Sequence, residues 1–87
     1  MPTEHQLKIW PDYFYAVQAG TKTFELRKND RAFKVGDILV LEEYRPGVGE
    51  YTGRVIRKRI SYIMEPSMQP ENDILRDGHV ALGLGDP

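Results

Sequence analysis

The stretch YTGRVIRKRISYIM, from Tyr51 to Met64, is long, rich in β-branched residues and free of proline. Four of its apolar residues share one parity: Ile56, Ile60, Tyr62 and Met64. That period of two is typical of a β-strand with one face toward a core. Val55 and Ile63 have the opposite parity, so we expect a β-bulge or a partly covered second face. The stretch therefore predicts one long strand and a fold built around a β-sheet.

Alternating stretches on both sides of this strand predict four more strands and one helix. The predicted strands are His5 to Trp10, Thr23 to Lys28, Ile38 to Tyr44 and His79 to Leu84. The helix is predicted from Pro11 to Ala19, because proline suits a first helical turn and Gly20 supplies a stop. The stretch with Pro66 and Pro70 is predicted to be an exposed loop or a single helical turn. Together these elements predict an α+β fold, a small, mostly antiparallel β-barrel with one short helix after the first strand.

Length and composition indicate a single domain over residues 1–87. The chain has no cysteine and two histidines, so neither a disulfide framework nor a thiolate metal site is expected, and we predict no metal and no cofactor. Residues 1–6 are polar, unlike a signal peptide, and the longest apolar run, Ile38 to Leu41, is too short to span a membrane. We therefore expect a cytoplasmic protein with no membrane partner.

Charge is distributed unevenly along the chain. Residues 1–64 carry eleven Lys and Arg against eight Asp and Glu, whereas residues 65–87 carry one against five. Arg54, Arg57, Lys58 and Arg59 lie within six residues, and Arg57 and Arg59 share a parity. A basic surface that contacts phosphates is one interpretation, and a solvated strand face is the more ordinary one. The net charge of −1 argues against a broad nucleic-acid-binding surface.

The segment GTKTFELR, from Gly20 to Arg27, contains the candidate chemistry. On a strand, Glu25 and Arg27 share a face with Thr23, and Lys22 lies at the strand entrance. A carboxylate between two cations stays ionised and orients them, which leaves N–H donors for a phosphate, a carboxylate or a base edge. The alternative from spacing alone is an ion-pair ladder on a solvated strand face.

This segment resembles the G-x-K-x-x-E-x-R signature of ASCH domains, a branch of the PUA-like superfamily, through Gly20, Lys22, Glu25 and Arg27. The later Lys34-Val35-Gly36-Asp37 is similar to the K-x-G-D turn of the same proteins. The likeness to small stand-alone ASCH-like proteins of bacteria and phages extends over nearly the whole chain. It implies a PUA-like barrel that binds RNA or modified nucleotides.

The first functional hypothesis is therefore a binding domain for RNA or a nucleotide. Its expected ligand-binding residues are Lys22, Glu25, Arg27, Tyr44 and Asn29. Exposed aromatic side chains would stack on unpaired bases, and Trp10, Tyr13, Tyr15 and Tyr44 are the candidates, although core packing is the commoner role for such residues. A protein partner is left open by the sequence.

The alternative hypothesis is an enzyme. Some small ASCH proteins resemble amidohydrolases that act on acylated cytidine, with a lysine as the base toward a threonine nucleophile. Lys22 matches the lysine, but Glu25 stands where the resemblance implies threonine. In an enzyme, the catalytic residues would then be Lys22, Glu25 and Thr23, with Thr23 as a displaced nucleophile or Glu25 as a base toward water.

Overall fold

The computed structural model describes residues 2–65 and 78–87 of the chain. In chain order the elements are β1 (Glu4–Ile9), α1 (Pro11–Gln18), β2 (Phe24–Lys28), β3 (Ile38–Arg45), β4 (Glu50–Met64) and β5 (His79–Gly85). The predicted strands and helix are thus confirmed, with each boundary within one residue of its expected position. The loop predicted around Pro66 and Pro70 lies outside the described residues.

The five strands form one mixed sheet in the order β1-β3-β4-β5-β2. β1 pairs with β3 in parallel, and the other three pairs are antiparallel, so the mostly antiparallel arrangement is confirmed. β1 and β2 follow each other in the chain but form the two edges of the sheet, and α1 connects them. The architecture is a half-barrel with one short helix.

The hydrophobic core lies on the concave face of the half-barrel. Its most buried side chains come from all parts of the fold: Leu7, Ile9, Phe14, Val17, Leu39, Leu41, Ile60, Val80 and Leu82. Phe14 and Val17 lie three residues apart on one face of α1, and this face packs on the core. Tyr13, a stacking candidate from the sequence, is 52% exposed, because it lies on the neighbouring helical face.

A β-bulge in β4 explains the mixed parity of its apolar residues. The register with β5 shifts between Ile60 and Tyr62, so the two sides of the strand exchange orientation there. Ile60 is fully buried before the shift, and Ile63 packs against the core after it. Tyr62 and Met64 are therefore turned outward, although they share the parity of Ile60 in the sequence.

The gap between edge strands β1 and β2, here called the seam, is bridged by arginine side chains. Arg27 Nη2 donates to the Lys8 carbonyl oxygen at 2.5 Å, and Arg31 Nη1 donates to the Gln6 carbonyl oxygen at 2.8 Å. Within residues 2–65 and 78–87, no backbone ladder joins these two strands. Side chains thus perform at the seam the role that strand pairing has elsewhere in the sheet.

Asp37, the last residue of the K-x-G-D turn, anchors β1 to the start of β3. Its buried carboxylate accepts hydrogen bonds from His5 Nε2 at 2.8 Å and from the backbone N–H groups of Thr3 at 3.2 Å and Lys34 at 3.1 Å. Gly36 enables this turn with a φ of 96°, which is a left-handed conformation that favours glycine. The turn is therefore a structural junction.

Candidate functional site

Glu25 lies at the centre of the candidate site, and it points toward the interior of the half-barrel. The residue is 3% exposed and is opposite Leu82 in the β2–β5 ladder. Its Oε2 atom accepts from Arg27 Nε at 2.9 Å and lies 2.8 Å from Arg27 Nη2, while Oε1 accepts from Lys22 Nζ. Both carboxylate oxygens are occupied. The arrangement is consequently a buried ion-pair cluster, not a solvated ladder.

The end of α1 determines where Lys22 lies. Gly20 has a φ of 80°, and its N–H donates to the Val17 carbonyl oxygen. The next amide groups, those of Thr21 and Lys22, both donate to the Ala16 carbonyl oxygen at 3.0 Å. A glycine that tolerates the left-handed conformation thus closes the helix and turns the chain back, which brings the lysine to the entrance of β2.

A cavity of about 500 Å³ opens at the seam above this cluster, and we call it the seam pocket. It is lined by Lys8, Ile9, Trp10, Tyr13, Lys22, Phe24, Glu25, Leu26 and Arg27. Because β2 is an edge strand, side chains from both of its faces border the opening. The volume lies within the range of small-molecule sites, which commonly combine apolar walls with a few fixed polar groups.

Aromatic rings surround the cation of Lys22. Its Nζ lies 5.0 Å from the ring centroid of Tyr13 and 5.5 Å from that of Phe24, within the range of cation–π attraction. The rings of Trp10 and Tyr13 stack with centroids 6.4 Å apart. Trp10, Tyr13 and Phe24 are each about half exposed, at 55%, 52% and 50%, so their faces are accessible from the pocket.

The structure gathers three of the predicted site residues, Lys22, Glu25 and Arg27, and separates the other three from them. Thr23 is exposed and lies outside the pocket lining, where its carbonyl oxygen accepts from the Leu84 amide. Asn29 follows the far end of β2, and its backbone N–H donates to the Gly78 carbonyl oxygen. Tyr44 is half-buried and packs edge-on against Tyr51.

Lys8 is one of the pocket residues that sequence reasoning missed. It lines the pocket, and its Nζ lies 4.3 Å from the Tyr44 ring centroid, so it connects the pocket to the Tyr44–Tyr51 pair. Phe24 and Leu26 were also not foreseen as lining residues. The available signal was the parity of β2, since placing Glu25 inward requires its two apolar neighbours to face outward.

The described part of the chain was also searched for metal-binding groups and for membrane-spanning helices. Residues 2–65 and 78–87 contain no group of three or more His, Cys, Asp or Glu side chains that could hold a metal ion. Within the same residues, no helix has the length and apolar character needed to cross a membrane.

Comparison with known proteins identifies a family for this chain. Residues 4–84 match the family described as "Domain of unknown function (DUF3850)". The chain belongs to this family. The match includes every strand and the helix except for the last residue of β5, so the DUF3850 domain contains both the seam and its pocket.

One curated relative of this DUF3850 chain is a phage protein. The chain is 38% identical over 71 residues to the "Uncharacterized 12.9 kDa protein in GpA 3'region" of Escherichia phage P2. The aligned residues make up 82% of this chain and 63% of the phage protein. The match therefore spans less than two thirds of that relative.

Proposed function

We propose that this chain is an ASCH-like, PUA-like domain that binds RNA or a nucleotide in the seam pocket. One observation carries the proposal: the buried Glu25 carboxylate holds Lys22 and Arg27 side by side, and exposed aromatic rings lie next to Lys22. A nucleotide combines a phosphate, which binds to fixed cations, with a flat base, which stacks on ring faces.

The charge of the pocket favours an anionic ligand. The two cations of Lys22 and Arg27 meet the single carboxylate of Glu25 in its lining, which leaves an excess of positive charge. Arg27 uses Nε and Nη2 for its bonds to Glu25 and to the Lys8 carbonyl oxygen, and these bonds leave Nη1 for a ligand. A phosphate oxygen at Nη1 would gain a charge-assisted hydrogen bond without displacing either contact.

The geometry favours binding over the hydrolase alternative. A lysine base must accept a proton, whereas Lys22 Nζ donates to Glu25 Oε1. A nucleophile must reach the substrate, whereas Thr23 lies outside the pocket lining. These contacts support nucleotide binding over cleavage of acylated cytidine by Lys22 and Thr23.

The proposal predicts that Lys22→Ala and Arg27→Ala each weaken nucleotide binding about 10- to 100-fold, because a hydrogen bond to a charged group contributes about 1.5–3 kcal/mol. Arg27→Lys should recover part of the loss, since it keeps the charge but not the fork of donors. The measurement is calorimetric titration with nucleosides, mononucleotides and short RNAs. Quenching of Trp10, which is the sole tryptophan and lines the pocket, gives an independent reading.

Matched controls are Lys34→Ala and Arg45→Ala, because both side chains are exposed and neither lines the pocket. Their dissociation constants should equal that of the parent protein. Binding that is unaffected by Lys22→Ala and Arg27→Ala would contradict the proposal, as would absence of binding across the panel. Release of product from acylated cytidine that Lys22→Ala abolishes would instead establish the hydrolase.

A further inference from the structure

The outer face of β2, β5 and β4 carries a row of exposed apolar side chains. In the ladders, Phe24 is opposite Gly83, which is opposite Tyr62; in the next row, Leu26 is opposite Ala81, which is opposite Met64. Ladder partners point to the same side of a sheet. The four large side chains are 50%, 57%, 54% and 40% exposed in that order, and we call this surface the bare face.

The outward-facing apolar residues in the first half of β3 are covered, unlike those of the bare face. There, Ile38 and Val40 of β3 are only 8% and 7% exposed. Glu4 and Arg57, on the strands either side of β3, form an ion pair that passes over it. A pair of long charged side chains thus lies over these β3 residues, whereas the apolar side chains of the bare face stay accessible.

Two features of the bare face indicate what covers it. It is continuous with the seam pocket, because Phe24 and Leu26 belong to both. Cations also stand at its ends: Lys28 is exposed on β2 one outward row beyond Leu26, and Arg59 is exposed on β4 on the other side of Tyr62. Aromatic rings flanked by cations match a strand with unpaired bases and a phosphate backbone.

We propose that the bare face binds the nucleotides that flank the one held in the seam pocket, so that the ligand is a short single-stranded RNA. This inference rests on the proposed function. Phe24 and Tyr62 lie two strands apart, roughly 10 Å, so they stack different bases. Gly83 between them carries no side chain, and the small Ser61 hydroxyl is the group nearest to the position that its Cβ would take. Single strands supply such bases, whereas duplex RNA keeps them stacked inside.

The test is a titration series with RNAs of one to five nucleotides of one sequence, against the parent protein, Tyr62→Ala and Lys22→Ala. The parent should bind the longer RNAs at least 10-fold more tightly than the mononucleotide. Tyr62→Ala should bind the longer RNAs about 5- to 100-fold more weakly than the parent does, which is the effect expected for one base–aromatic stack. Its affinity for the mononucleotide should equal that of the parent. Tyr15→Ala is the matched control, because it removes a half-exposed tyrosine on α1 that belongs neither to the pocket lining nor to the bare face.

The outcomes separate this inference from the proposed function. Mononucleotide binding with no gain from length would overturn the bare face as an RNA surface and leave the pocket intact. Binding of longer RNAs that depends on Tyr62 but not on Lys22 would support the bare face and contradict the pocket. Absence of binding to every RNA would overturn both the pocket and the bare face as binding sites. Equal or tighter binding of DNA of the same sequence, or a dimer in sedimentation that Tyr62→Ala dissociates, would assign the face to another occupant.

Discussion

Replacing Asp37 with alanine is expected to lower the free energy of unfolding by about 3 kcal/mol, because it leaves buried polar groups without their acceptor. Asp37 is 6% exposed and accepts hydrogen bonds from His5, Thr3 and Lys34. The bond from His5 is buried, and those from the Thr3 and Lys34 backbone are partly buried. Urea unfolding followed by circular dichroism measures the change.

Asp30→Ala is the matched control for this substitution. Asp30 is an exposed aspartate, and its ion pair with Arg31 is long, at 3.9 Å. An exposed pair of this kind contributes little, so the control should stay within about 0.5 kcal/mol of the parent. A loss below about 1 kcal/mol for Asp37→Ala, on the scale of ordinary surface substitutions, would show that the junction does not stabilise the half-barrel.

The same carboxylate predicts a pH dependence of stability. Burial raises the pKa of the Asp37 carboxyl, but hydrogen bonds from His5, Thr3 and Lys34 outweigh burial, and the pKa lies below its ordinary value. A carboxyl whose pKa is lower in the folded state stabilises the fold at pH values above its unfolded-state pKa, about 3.9. This stabilisation disappears as the pH falls through the folded-state pKa. The stability difference between the parent and Asp37→Asn should therefore be constant near neutral pH and shrink below about pH 4.

Glu4 provides the comparison for this pH experiment. Its hydrogen bond and charge interaction with Arg57 lower the pKa of the Glu4 carboxyl, so it acts in the same direction as Asp37. Glu4 is exposed, however, and salt screens its ion pair. The pH-dependent difference for Glu4→Gln should weaken in 0.5 M salt, at roughly a 4 Å Debye length. The pH-dependent difference for Asp37→Asn should persist in 0.5 M salt. A salt-sensitive difference would contradict the hydrogen bonds as the cause of the lowered Asp37 pKa.

Replacing Glu25 with alanine is expected to affect both stability and ligand binding. Lys22 and Arg27 would lose the carboxylate that they share and would repel each other across the pocket. Breaking a fully buried ion pair costs about 3–5 kcal/mol, and the partial exposure of both cations here reduces the expected loss to about 2–4 kcal/mol. Nucleotide binding should fall below detection, since neither donor keeps its orientation.

Glu50→Ala is the control for Glu25→Ala, because it removes an exposed glutamate at the start of β4. Its unfolding free energy and its nucleotide affinity should both match the parent. If Glu25→Ala is destabilised but binds nucleotide normally, the carboxylate has a structural role alone. If it binds more tightly, the carboxylate opposes the ligand, and the proposed orientation of Lys22 and Arg27 is wrong.

The sequence was sufficient to predict the secondary structure, because each element depends on local pattern. Alternation located the strands, and Pro11 and Gly20 delimited the helix. The β4 bulge was also predictable, since Ile60 and Ile63 cannot both face one side of a regular strand. Strand order was not predictable in this way, because the parallel pairing of β1 with β3 depends on contacts between distant segments.

The orientation of β2 shows why the site was only partly predictable. Hydrophobicity favours Phe24 and Leu26 as core residues, yet they are exposed and Glu25 is buried. The carboxylate tolerates burial because Lys22 and Arg27 saturate its two oxygens, and this compensation needs the tertiary structure to be seen. The spacing identified these three partners, whereas Lys8 lines the pocket from β1, the opposite edge of the sheet, which local spacing does not reveal.

The arginine bridges across the seam also bear on self-association. An exposed edge strand offers free carbonyl groups that a second chain can pair with, and such pairing leads to aggregation. Here the Gln6 and Lys8 carbonyl oxygens on the seam side of β1 already accept hydrogen bonds from Arg31 and Arg27. Replacing Arg27 with alanine would free the Lys8 carbonyl oxygen for such pairing, so a loss-of-binding screen at this position needs a solubility check beside it.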